Sequence, residues 1–332
     1  MLNAKLKLNP KIFNQDCEQV PIRKGFGLGL VLAGEADKNV VALCADLTES
    51  TQMNFFKEKF PERFVEVGVA EQNLVTIASG ISAMKKIPFC SSYAMFSPGR
   101  NWEQIRTTIA YNDRKVIIVG SHGGVSVGPD GATHQALEDI ALMRVMPNID
   151  VVSPCDALEA KRATIELAKS KKPAYLRLAR EKTPIITTEE TPFELGKAEI
   201  YWLPDVGLAQ VGIIVTGGLL YRALITAKEL EVEGIKIKVM NLSSIKPIDA
   251  NAIIALARET KAIVTVEEHQ VAGGMGSAVA EVLAKNYPVP MVFIGVQDKF
   301  GQSGTPDELV EYYGMGKNSI KEAVKRVLQR KV

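Results

Sequence analysis

The chain has 332 residues, 46% of them hydrophobic, with 40 lysines and arginines against 38 aspartates and glutamates for a formal net charge of +2. That length corresponds to about two domains, each large enough to bury a core, and the near-neutral balance excludes the basic footprint of a nucleic-acid or anionic-membrane binder. No apolar run approaches the roughly 18 residues of a membrane span, and the opening MLNAKLKLNPK lacks the apolar stretch of a signal peptide. These features predict a soluble, cytoplasmic chain. Cys17, Cys44, Cys90 and Cys155 form no C-x-x-C pair and are expected as buried thiols rather than zinc ligands.

Taken in chain order, short β-branched runs alternate with amphipathic stretches, the pattern of βα units feeding a parallel sheet. After a first 20 residues without this pattern come strand candidates VVALCADL (40–47), FVEVGV (64–69), PFCSSYAMF (88–96), KVIIVGS (115–121), DVVSP (150–154) and AYLRLA (174–179). Leu74, Val75, Ile77, Ala78, Ile81 and Met84 recur at helical spacing, so a helix begins at Glu71 directly after a strand, and 157–169 forms a second. The Pro- and Thr-rich stretch 183–208 reads as a surface linker. Alternation resumes with VGIIVTGG, a helix over 219–233, IKVMNLSSI, a helix over 249–258, AIVTVEEH, a helix over 276–285, VPMVFIGV and a helix over 317–330. The expected fold is therefore α/β: two open, mostly parallel sheets with flanking helices, in domains 21–182 and 209–332.

Ligands of such sheets bind beyond the carboxyl ends of the strands. Five polar clusters fall there: Asp46 to Ser50, Gly68 to Asn73, Ser91 to Phe96, His122 to His134, and Arg177 to Arg180. Any one alone fits a helix cap or a surface group equally well; five at one edge point to a site. His122 and His134 are two of only three histidines and flank a glycine-rich segment holding Asp130. Such a loop lets backbone N–H groups approach an anion or sugar, and a sugar phosphate suits it. A metal needs a third ligand and a closer spacing than twelve residues. The glycine-rich GFGLG (25–29) and GGMGS (273–277) do not match a dinucleotide fingerprint, and there is no P-loop. Glu71, at a helix start among Val69, Ala70 and Leu74, is placed to be partly buried and to hold or share a proton; a helix N-terminal carboxylate facing the dipole fits the same position.

Together IRK, ADLTES, VGVAEQN, HGGVSVGPDGATHQ and LARE, in order and spacing from about Pro21 onward, resemble the transketolase family, in its pyrimidine-binding and C-terminal domains. The resemblance implies that Glu71 contacts N1′ of the aminopyrimidine of thiamin diphosphate and activates the cofactor, with Tyr93 and Phe96 as aromatic wall and Asp46 beside it, shaping the substrate channel. An aromatic often found just beyond Phe96 in the family is replaced here by Ser97, Pro98, Gly99 and Arg100. It implies that Arg23, Ser50, His122 and Arg180 hold the sugar phosphate, with Arg177 able to take Arg180's place because only one of the two can face the site. Asp130 then reads a sugar hydroxyl, and His134, with His122 and Glu71, is catalytic. No residue of this chain is expected to ligate metal. The family's Gly-Asp-Gly is absent, which implies a split transketolase: a partner N-terminal subunit carries the diphosphate-binding domain and its Mg²⁺ (or Ca²⁺), in an α2β2 heterotetramer. His269 is expected to be structural or at a subunit contact. The readings weighed against this are a deoxyxylulose-phosphate-synthase-like chain, a 2-oxoacid dehydrogenase β-like subunit, and a non-catalytic scaffold.

Overall fold

A computed structural model describes residues 1–331. The first part of the chain forms β1 (Gln19–Pro21), α1 (Ile22–Ala36), β2 (Val40–Cys44), α2 (Asn54–Lys59), β3 (Phe64–Glu66), α3 (Glu71–Ala83), β4 (Ile87–Tyr93), α4 (Trp102–Gln104), β5 (Ile117–Ser121), α5 (Asp139–Arg144), β6 (Asp150–Val152), α6 (Ala157–Lys169), β7 (Ala174–Arg177) and β8 (Lys182–Pro184). The rest forms β9 (Glu199–Trp202), β10 (Val211–Val215), α7 (Leu220–Val232), β11 (Ile237–Asn241), β12 (Ser244–Lys246), α8 (Ala250–Thr260), β13 (Ile263–Gln270), α9 (Met275–Asn286), β14 (Met291–Val296), α10 (Pro306–Tyr312) and α11 (Lys317–Gln329). Among the described residues no helix is long and apolar enough to cross a membrane.

A seven-stranded sheet runs in the order β12-β6-β7-β5-β4-β2-β3 and a five-stranded sheet in the order β14-β13-β10-β11-β9. Within the first, β3, β2, β4, β5, β7 and β6 are mutually parallel, so their carboxyl ends, and the polar clusters that follow them, share one edge. The antiparallel members are the edge strands β9 and β12. The two α/β layers expected from the sequence are therefore present.

Three departures from the sequence reading have physical reasons. IKVMNLSSI is not one strand: β11 joins the second sheet, and after Leu242 and Ser243 the chain crosses to the first sheet as β12, beside β6. With no Gly or Pro between Ile237 and Ile245, the run carries no local mark of where it changes sheets. The stretch 183–208 is not a bare surface linker, since it holds part of β8 and all of β9 and buries Ile186, Thr187, Tyr201 and Trp202. Asp156 anchors its start: the carboxylate caps α6 at Glu159 N (2.8 Å) and also accepts from the backbone N–H of Ile186 and Thr187. Of the four cysteines, Cys44, Cys90 and Cys155 are buried but Cys17 is partly exposed.

The glycine-rich strings are packing devices. A Cβ at Gly25 would lie 1.8 Å from Ala157 O, and one at Gly29 2.7 Å from Lys161 O, so these glycines let α1 lie directly on α6. One core packs α1, α2 and α6 against the first sheet through Phe26, Leu30, Phe56 and Phe89. A second is continuous between the two sheets, joining Leu43, Leu74, Val75, Cys90 and Ile118 to Ile214, Met240, Ile253 and Met275.

Candidate active site at the carboxyl edge of the first sheet

On α3 the residues at i, i+3, i+4 and i+7 are Glu71, Leu74, Val75 and Ala78, and all four are buried. A carboxylate thus occupies the first position of an otherwise apolar buried stripe. Among the described residues its Oε2 has no hydrogen-bond partner, and Arg100 Nη1 forms a long ion pair with it at 3.8 Å. Asn101 Nδ2 donates to the Glu71 carbonyl (2.8 Å) and to Ser97 Oγ (3.1 Å), tying the loop after β4 to the start of α3. An orphaned buried carboxylate oxygen is costly to leave unpaired; its position, 3% exposed at the strand-end edge, suits a protonated ring nitrogen as partner. Arg100 and Asn101 were not among the expected site residues, and Arg100 stands where the sequence breaks the aromatic pattern.

Tyr93, the last residue of β4, stacks on His122 with ring centroids 3.8 Å apart and on Phe96 at 6.2 Å. His134 meets both aromatic rings edge-on, at 6.2 Å from Tyr93 and 5.4 Å from Phe96. The two histidines and two aromatics expected at the site are thus one cluster, although His122 and His134 leave different parts of the glycine-rich loop.

His122 is buried directly after β5 with φ +60°, a left-handed conformation that turns its ring back over the edge. Arg23 Nη1, in the first turn of α1, lies 3.1 Å from His122 Nε2 and donates to Ser50 O at 2.7 Å. A guanidinium only donates, so Nε2 accepts and Nδ1 carries the proton toward Ser121 Oγ, 2.8 Å away. Burial, reinforced by Arg23 and Arg180, pushes the His122 pKa down to about 3, so the ring is neutral. Burial, and then Arg180, likewise lowers the pKa of Arg23. Two neighbouring cations that repel each other while partly desolvated form a place that an anion stabilises.

Arg180 is partly exposed, donates to Val127 O (2.7 Å) and pairs with Glu181 (3.2 Å). Arg177 faces the other way. Its Nε meets Asp139 Oδ2 at 2.7 Å, and its Nη2 donates to Ala136 O and Glu268 O, all buried. Arg177 is the last residue of β7 and Arg180 lies beyond it, so the two do not alternate along one strand as expected; Asp139, which also accepts from Tyr175 Oη at 2.7 Å, holds Arg177 in the interior. Ser50 offers Arg23 its carbonyl. Asp46 is exposed with φ +56°, its N–H donating to Glu66 Oε1 (2.7 Å), and Asp130 is exposed at the tip of the glycine-rich loop.

His269 is fully buried between the domains of its own chain, which rules out an exposed subunit-contact role. Nδ1 donates to Gln270 O (2.7 Å) and Nε2 accepts from Ala141 N (3.4 Å), with burial lowering its pKa to about 4. The second glycine-rich string opens α9, where Met275 N and Gly276 N donate to Glu267. A cavity of about 1100 Å³ lies between β14 and α11, lined by Met291, Phe293, Tyr313 and Arg326, and shares no residue with the strand-end cluster.

Comparison with known proteins agrees with this fold. The transketolase pyrimidine-binding domain matches residues 18–185 and the transketolase C-terminal domain matches 201–320. A putative transketolase C-terminal section from Methanocaldococcus jannaschii is 42% identical, over 93% of this chain and 95% of that protein. A 6-deoxy-6-sulfo-D-fructose transketolase subunit from a Clostridium species is 38% identical, over 90% of this chain and 91% of the relative. A split-gene transketolase, solved as an inactive β4 tetramer, superposes with a TM-score of 0.87 at 42% identity, covering 94% of this chain and 100% of that one. The chain belongs to the transketolase family, and along nearly its whole length it corresponds to the C-terminal subunit of the split form.

Proposed function

We propose that the chain is the C-terminal subunit of a thiamin-diphosphate-dependent transketolase that moves a two-carbon ketol unit from a ketose phosphate to an aldose phosphate. The observation that carries this reading is Glu71, a buried carboxylate whose Oε2 lacks a hydrogen-bond partner among the described residues. Glu71 would hold the aminopyrimidine through its ring nitrogen, with Tyr93 and Phe96 beside it. Thiamin diphosphate, when bound, supplies the nucleophile and electron sink for ketol transfer. The chain's own residues do the rest. Glu71 holds a proton at the ring nitrogen; the neutral ring of His122, and His134 beside it, exchange hydrogen bonds with the hydroxyls and carbonyl of the sugar; Asp130 accepts from a sugar hydroxyl; Arg23 and Arg180 hold the phosphate.

The diphosphate and its Mg²⁺ (or Ca²⁺) belong, in this reading, to an N-terminal partner subunit, and the active assembly is an α2β2 heterotetramer in the cytoplasm. Support comes from the likeness to a transketolase C-terminal section along nearly its whole length and from the split-gene neighbour, which was inactive as a β4 tetramer. Domains 21–182 and 209–332 would contribute the cofactor pocket and the assembly surface respectively.

Replacing Arg180 tests the phosphate clamp. In the complex with the partner subunit, Arg180→Ala raises KM for phosphorylated sugars about tenfold or more while kcat falls less, since one charge-assisted hydrogen bond is worth about 1.5–3 kcal/mol. Steady-state kinetics with a phosphorylated donor and with its unphosphorylated counterpart measure it. An unchanged KM for the phosphorylated donor moves the phosphate elsewhere.

A further inference from the structure

The glycine-rich loop that carries His122, Asp130 and His134 is held from below by the other domain. Glu267, Glu268 and His269 lie near the end of β13, and Glu268 meets the loop at Ser126. The buried Glu268 carboxylate accepts the Ser126 N–H at 2.5 Å, and its main-chain oxygen accepts Arg177 Nη2 at 2.9 Å. Gly124 has φ +93°, and a Cβ there would lie 2.3 Å from Glu268 Oε1, so the loop backbone rests on this carboxylate. Farther along, Gln135 Nε2 donates to Val125 O and Gly128 O within the loop and to Gln302 O beyond β14. Pro306 and Gly304 lie 3.2–3.4 Å from the position of a Cβ on Gly128.

We propose that Glu268 is a positioning residue through which the C-terminal domain sets the conformation of the substrate loop, so that this domain acts on sugar binding without touching the sugar. A loop rich in glycine has a large conformational entropy to lose, and its own chain neighbours supply few side chains to hold it. The carboxylate provides a fixed acceptor at Ser126, between the two histidines. The structural half of the proposal is independent of the function given above; the kinetic half rests on the reading of 122–134 as the sugar-binding loop.

Hydrogen exchange followed by mass spectrometry on the full chain alone tests the first half. Glu268→Ala speeds exchange in peptides covering 123–131 by about ten- to a hundredfold and leaves β2, β4 and β5 as in the wild type. Glu268→Gln, which keeps an acceptor oxygen, restores most of the protection. Should Glu268→Ala not fold, Glu268→Leu, which removes the acceptor and keeps most of the volume, exposes the same peptides. Unchanged exchange at 123–131 in a folded Glu268→Ala or Glu268→Leu chain overturns the proposal. In the complex with the partner subunit, Glu268→Ala raises KM for the ketose phosphate about tenfold or more with kcat less affected, and Glu268→Gln recovers it. A loosened loop with an unchanged KM supports the clamp and instead refutes the sugar-binding role of the loop.

Discussion

Glu71→Ala, assembled with the partner subunit, turns over at about a hundredth of the wild-type rate or less. A positioned proton-holding group contributes about 10²- to 10⁴-fold, and Glu71 is the one buried carboxylate on the α3 stripe that faces the strand-end cluster with an unpaired oxygen. Glu71→Gln preserves volume but cannot hold a proton at a ring nitrogen, and it falls to a similar level. The competing reading, a helix N-terminal acid interacting with the dipole, gives a different outcome: about 0.3–1 kcal/mol of stability lost with turnover intact. Activity assays beside urea unfolding separate the two. Wild-type turnover with only a stability change returns Glu71 to a structural role.

Asp139→Ala destabilises the chain by about 3–5 kcal/mol, because it leaves the Arg177 guanidinium buried without its ion-pair partner. The same carboxylate accepts from Tyr175, and His269 Nε2 lies 4.0 Å from it, so one substitution disturbs β7, α5 and β13 together. Asp139→Asn keeps an acceptor and costs less. The double variant Asp139→Ala/Arg177→Met recovers much of the loss, since an apolar replacement removes the stranded charge. Urea unfolding at one fixed protein concentration reads all three. A loss under about 0.5 kcal/mol in Asp139→Ala contradicts the pairing as described.

The sequence made the edge legible because polar residues follow directly on apolar strands, and parallel pairing then brings Tyr93, His122 and Arg180 to one side. That a helix begins at Glu71 was legible from helical spacing, while its assignment to a cofactor came from the family resemblance. Other features depend on contacts far apart in sequence. The choice between Arg177 and Arg180 turns on Asp139, which sits on another element. Arg100 approaches Glu71 only because the loop after β4 folds back on α3. The crossing of β12 into the first sheet has no local signature, as neither Leu242 nor Ser243 is a turn residue of the Gly or Pro kind. Glu268 read as one acid in a strand, and its contact with Ser126 spans 142 positions.

The most direct measurement is calorimetric titration of thiamin diphosphate with Mg²⁺ into this chain alone and into its equimolar mixture with the N-terminal subunit from the same cells, followed by a ketol-transfer assay on both. A chain that supplies the pyrimidine half of a shared site binds cofactor stoichiometrically and transfers ketol only in the mixture. Tight binding and turnover by the chain alone, or a mixture that neither binds nor turns over, would contradict the split-site assignment.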